Sequence, residues 1–192
     1  SNQVLDATQA YFKPLTEAQL AGLPQSSIDL LKQYGQQREL EQAVATLDFP
    51  SYLAIMTYAS DRSVREELYK AYTTRASDQS AQTEFDNTPV MEEILSLRHE
   101  MASLLGFDSY ADLSLASKMA PSVAAVDQFL RELAEHARVP AEQEIAELKA
   151  IAAEDGIQEL QPWDSSYYSE KLKVQQFNLS QEALKPYFPA PK

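Results

Sequence analysis

The stretch NTPVMEEILSLRHEMASLLG, residues 87–106, decides the fold. Asn87 or Thr88 can cap a helix, and Pro89 falls in its first turn, where a missing N–H costs nothing. Val90, Ile94, Leu97, Met101 and Leu104 then recur at intervals of four and three, so they share one face. Gly106 supplies the stop. The pattern predicts an amphipathic helix that buries this stripe.

Working outward, the same period recurs. A short helix is expected over 109–118. The longest element opens at Pro121-Ser122 and carries Val126, Leu130, Leu133, Ala137, Ile145, Leu148 and Ala152. Pro140 interrupts it and should kink it or split it in two, since proline removes a hydrogen bond and crowds the preceding turn. Gly156 ends it. Asp164 can cap a helix through Phe177, and Ser180 a last short one closed by Pro186. On the other side, Asp61 or Ser63 starts a helix with Val64, Leu68, Ala71 and Tyr72 on one face, running out near Arg75-Ala76-Ser77-Asp78, and 79–84 reads as loop.

The first third is more broken. Thr16 and Gln19 fit a capping box, followed by a Gly22-Leu23-Pro24 break. Ser26 or Ser27 can cap a helix with Ile28, Leu31 and Tyr34, and Gly35 sits where a left-handed C-terminal cap belongs. Residues 43–49 are the best strand candidate, closed by Pro50. The expectation is an all-α, multi-helix assembly with one long kinked helix and at most a short strand near 43–49. No repeat or composition shift divides the chain, so 1–192 reads as a single helical region, with Ser1-Asn2 read as a tag remnant.

Composition agrees. Apolar residues make up 44% of the 192 positions, enough for a packed core, and only 4 are glycine. The net charge is −13, from 16 basic and 29 acidic residues. Such a surface repels phosphate backbones and anionic lipid, which argues against nucleic-acid and membrane-surface partners. It would attract cationic peptides mildly, although solubility alone explains many acidic surfaces. There is no cysteine, so disulfides and thiolate metal sites are excluded. No apolar run approaches the ~20 residues of a membrane-spanning helix, and no signal peptide opens the chain.

The candidate chemistry is sparse. His99-Glu100 begins a pattern that zinc peptidases complete as His-Glu-x-x-His, with two histidines four apart on one helix face and the Glu acting on bound water. Here Ser103 takes the second ligand position, and a hydroxyl is a poor zinc ligand beside imidazole. If the helix buries its stripe, His99 points away from it, and a solvated histidine is the plainer reading. His136, with Glu132 and Glu135 nearby, reads as part of a charged helix face. The pairs Glu66-Glu67, Glu92-Glu93 and Glu142-Glu144 read as solvated faces, because paired acids work as acid and base only where their environments differ. There is no nucleophile elbow and no glycine-rich phosphate loop. Trp163, Tyr167 and Tyr168 could line a groove or, as such groups more often do, anchor a helix in a core.

Read in order, a series of blocks carries more. Pro50-Ser51-Tyr52 leads to Met56-Thr57-Tyr58-Ala59 and Arg62. Tyr72-Thr73-Thr74-Arg75-Ala76-Ser77-Asp78, Asp86-Asn87, Ile94 to Arg98, Leu104 to Phe107 and Ser114 to Ala120 follow. Trp163-Asp164, Tyr167 to Leu172 and Pro186 to Pro189 complete it. This series resembles the thimet-oligopeptidase family of zinc metallopeptidases over roughly residues 15–189.

The resemblance implies a helical, two-lobed fold around a deep channel with zinc at its floor, a cytoplasmic location and short peptides as substrates. It also implies that the zinc motif lies beyond this chain's end. No catalytic, cofactor-binding or metal-ligating residue is therefore assigned here, and zinc is expected only in a longer parent metalloendopeptidase. This chain would be its N-terminal, non-catalytic part, inactive alone, forming scaffold and channel wall. Apolar surface left bare by a cut would favour self-association. The alternative is a natural, non-enzymatic helical module that binds peptides or a partner.

Overall fold

The computed structural model describes residues 2–178 and 187. Helix α1 (Asn2–Ala10) leads into strand β1 (Phe12–Pro14), a 3-10 turn (Glu17–Leu20) and helix α2 (Gln25–Gln36). Strand β2 (Val44–Thr46) pairs antiparallel with β1, with Lys13 opposite Ala45. Helices α3 (Phe49–Tyr58) and α4 (Arg62–Thr74) follow, then a 3-10 turn (Thr83–Phe85). Helices α5 (Thr88–Leu104), α6 (Tyr110–Leu115), α7 (Val123–Glu154) and, after a 3-10 turn at Pro162–Asp164, α8 (Ser165–Phe177) complete it. The all-α expectation holds, with one small two-stranded ribbon.

The chain forms two compact units. One joins the residues up to Phe85 with those from Ala146 onward; the other is Asp86–Ile145. The core of the discontinuous unit gathers Leu31, Ile55 and Leu68, all fully buried, with Val64, Leu47 and Leu15. Each such side chain contributes roughly 1.5–3 kcal/mol relative to exposure. A smaller cluster of Leu148, Ala152 and Tyr168 fixes the end of α7 against α8.

Local signals explain most of the boundaries. Thr16 and Gln19 form the expected capping box. The Asp61 carboxylate caps α4 by accepting from the Ser63 and Val64 amides at 2.9 and 3.3 Å, and Ser109 caps α6. Gly106 and Gly156 take φ of 79° and 80° just beyond α5 and α7.

Several expectations need correction. The strand is shorter than 43–49, because α3 begins at Phe49 and Pro50 sits in that helix's first turn, beginning a helix rather than closing a strand. Strand β1 lacks the alternating pattern that announces a strand. Helix α2 starts after Pro24, ahead of Ser26 and Ser27. Gly35 is not a left-handed cap but a helical residue at a close approach, where a Cβ would lie 2.0 Å from the Gln42 carbonyl oxygen. Of the two outcomes expected at Pro140, a split is excluded, because α7 is continuous through it. The expected helix from Ser180, with Pro186, lies outside the described residues.

The apolar stripe of α5 is also not buried. Ile94 is 41% exposed and Leu104 80%, and Val90, Leu97 and Met101 lie between these extremes. Within its unit α5 packs on α6 and buries Ala102, and no described residue covers the stripe. The period identified the helix correctly, but periodicity reports a face that can be covered, not one that is.

Candidate functional site

The residues singled out in the sequence do not converge. His99, Glu100 and Ser103 are all exposed on α5. His136 is exposed on α7, its Nδ1 2.6 Å from the Glu132 carbonyl oxygen. Glu66 pairs with Lys70, and Glu67 with Lys13 and the Tyr11 hydroxyl. Among the described residues no group of three or more His, Cys, Asp or Glu side chains could hold a metal ion.

A different set of side chains is organised. Asp164 was expected to cap α8. Its carboxylate instead lies fully buried and makes no cap contact with that helix. It accepts from Arg62 Nε and Nη2, the latter at 2.8 Å, from Arg65 Nη2 at 2.9 Å and from the Gln161 amide at 3.0 Å. Burial alone would push this carboxyl group up. Hydrogen bonds from Arg62, Gln161 and Arg65 outweigh burial and hold it below the ordinary aspartate range.

Arg65, 1% exposed, is satisfied around its whole fork. It donates to the carbonyls of Ala59 at 2.6 Å and Trp163 at 3.2 Å, and its guanidinium lies 4.1 Å from the Tyr167 ring centre. One arginine thus fixes the α3–α4 turn and the start of α8 together. An Arg within the Val64–Leu68 stripe was the signal for this, since a buried guanidinium requires a buried partner.

Beside this cluster lies a cleft of about 550 Å³ between the Gly22–Pro24 turn, the end of α3, the end of α7 and α8. The turn makes its closest approach at Gly22. There φ is 88°, and a Cβ would stand 2.4 Å from both Ser60 Oγ and the Tyr58 carbonyl oxygen. Glu154, Asp155, Glu170 and Lys171 bring charge to the cleft; Ile151, Val174, Tyr58 and Tyr167 bring apolar surface. Asp155 accepts from Lys171 Nζ at 2.5 Å and the Tyr168 hydroxyl at 3.1 Å. The hydrogen bond from Lys171 leads in holding its carboxyl low, against a smaller upward push from burial. Glu170 Oε2 accepts from Lys173 Nζ, while its Oε1 is buried and has no hydrogen-bond partner among the described residues. Of the aromatic trio, Tyr168 is core, at 2% exposure, while Tyr167 lines the cleft.

The model of peptidase family M3 matches residues 55–192, well over half of the chain. The chain belongs to peptidase family M3. It is 53% identical to oligopeptidase A of Salmonella typhimurium over 195 residues, which cover 100% of this chain and 29% of that protein. Oligopeptidase A of Haemophilus influenzae is 48% identical over 98% of the chain and 28% of its own length. The probable cytosolic oligopeptidase A of Arabidopsis thaliana is 40% identical, over 100% of the chain and 28% of its own length. The chain therefore spans under a third of these M3 relatives. Arg62, Arg65, Asp164 and the α7 and α8 residues of the cleft fall within the family match, and Gly22 and Pro24 precede it.

Proposed function

We propose that this chain is a non-catalytic helical part of a zinc metalloendopeptidase that hydrolyses short peptides in the cytoplasm. Its role is scaffold and channel wall. The observation that carries this reading is the 53% identity to oligopeptidase A along the whole chain, over only 29% of that protein. The described residues provide no ligand set for zinc, so no step of the hydrolysis is assigned to them. When bound in the longer protein, zinc would supply an activated water and polarise the scissile carbonyl. This chain's contribution is rigid placement of helices, and the buried Arg62–Asp164–Arg65 cluster supports that role.

The exposed stripe on α5 supports a second element of the proposal, that the chain taken alone self-associates. The functional reading is tested by reading the open frame beyond Lys192. A His-Glu-x-x-His segment in the same frame is expected. A stop without one would favour a free-standing helical module that binds peptides or a partner.

A further inference from the structure

The unit Asp86–Ile145 holds α5, α6 and most of α7, yet Ala102 is its only buried residue. One buried methyl group cannot offset the conformational entropy lost when three helices are ordered. Surface from outside this unit must complete it. We infer that the apolar faces of α5 and α7 are a docking surface for the remainder of the longer protein, not for a second copy of this chain.

On α5 the stripe from Val90 to Leu104 is one part of a wider apolar arc. Met91, Leu95 and Leu105 each follow a stripe residue by one position, so they are turned from it by about 100°. All three are more than half exposed. Ala102, buried on the helix that packs against α6, belongs to this second row. Polar residues such as Glu92 and Ser103 take the opposite side. On α7, Phe129, Leu130 and Leu133 are likewise more than half exposed.

The breadth of these faces selects the occupant. Two like helices that pair use a narrow seam, whereas an apolar arc over about half of the circumference belongs to a helix set in a core. A two-fold dimer also meets its partner through one self-complementary patch. Two helices with broad apolar surface need cover from more than one direction, which a large body of further chain supplies. The relatives contain such a body: the matched part is 29% of oligopeptidase A of Salmonella typhimurium, so over two thirds of that protein lies outside it. Self-association of the chain alone is then what this surface does when that body is missing.

Such docking rests on the reading of this chain as part of a longer peptidase, and the test separates the two. Leu97→Cys and, on the polar side, Ser103→Cys are made in the 192-residue chain and in the full product of its open frame. The chain has no cysteine, and alkylation is read on the α5 peptide by mass spectrometry, so other thiols do not interfere. The chain alone is treated at a dilution where sedimentation shows monomer. Leu97→Cys should react at least about tenfold more slowly in the full product than in the chain, and Ser103→Cys at similar rates in both. Amide hydrogen exchange of the unaltered proteins should show α5 slowed to a like degree, which keeps the test intact if Leu97→Cys fails to fold. A frame without further sequence would remove the reading and the inference together. A longer product in which Leu97→Cys reacts and α5 exchanges as fast as in the chain alone would overturn the inference and leave the reading. Protection lost on dilution of the full product would assign the surface to a second copy, and protection already present in the monomeric chain would mean that the chain covers itself. Either result also overturns the inference.

Discussion

Arg65 and Asp164 lie 99 positions apart in the chain and meet in the core, Nη2 to Oδ1 at 2.9 Å, with neither side chain more than 2% exposed. Arg62 reaches the same carboxylate from a side chain that is 37% exposed. The three groups tie the start of α4 to the start of α8, which in sequence flank the segment Asp86–Ile145. A buried charge pair of this kind need not add stability over an apolar replacement, but breaking it leaves a bare charge inside.

Asp164→Asn should therefore destabilise the fold by about 3–5 kcal/mol, because Arg65 would remain buried without its counter-charge. Chemical denaturation followed by circular dichroism measures this. A loss under about 1 kcal/mol would mean that the cluster is a surface-like pair of little consequence. Arg62→Ala should cost less than Arg65→Ala, since water already reaches Arg62.

The same carboxylate sets an acid limit. Hydrogen bonds hold Asp164 below its unfolded value despite burial, and Asp155 is held low through Lys171. A group whose folded pKa is depressed contributes stability that is present above the unfolded pKa and lost as pH falls through the folded one. Stability should thus be level near neutrality and fall from the ordinary aspartate range downward. Asp164→Asn should flatten that fall. A melting temperature that drops equally with acid in both proteins would contradict the assignment.

Two glycines should respond differently to alanine. At Gly22 a positive φ coincides with two atoms 2.4 Å from the new Cβ, one of them a backbone carbonyl oxygen. At Gly106 φ is also positive, but nothing lies within 4 Å. Gly106→Ala should cost about 1–2 kcal/mol from backbone strain alone. Gly22→Ala should cost clearly more, and should also disturb the cleft. Thermal melts of the two variants decide this, and equal losses would count against the crowding.

Leu97, Leu104 and their neighbours on α5 expose apolar surface along one face of a helix. The purified chain should self-associate in sedimentation at rising concentration. Leu104→Glu combined with Leu97→Glu should shift it toward monomer without lowering its melting temperature, because neither side chain is buried. A monomeric profile of the unaltered chain at high concentration would contradict this.

What the sequence revealed follows from the range of its signals. Caps and stops act within a turn, so Asp61, Gly106 and the Thr16–Gln19 box were legible. Periodicity is local too, and it found α4, α5 and α7. Burial is not local: the stripe of α5 looked like core because nothing in a period states whether a partner exists. Asp164 shows the same limit. Its place before a helix invited a cap, yet arginines a hundred positions away claim the carboxylate. The cleft was the least legible, since Gly22, Glu154 and Glu170 come together only through tertiary packing. The ordered blocks from Pro50 to Pro189 resembled one family because several of them occur in order along the chain, and the match of peptidase family M3 to residues 55–192 agrees.

In the proposed function, peptide hydrolysis belongs to a longer protein to which this chain supplies structure. Turnover of a quenched fluorescent short peptide, with added zinc, by the purified chain and by the full product of its open frame tests this most directly. Zinc-dependent cleavage by the full product is expected, and none by the chain alone. Zinc-stimulated turnover that stays with the chain through repeated purification would contradict it.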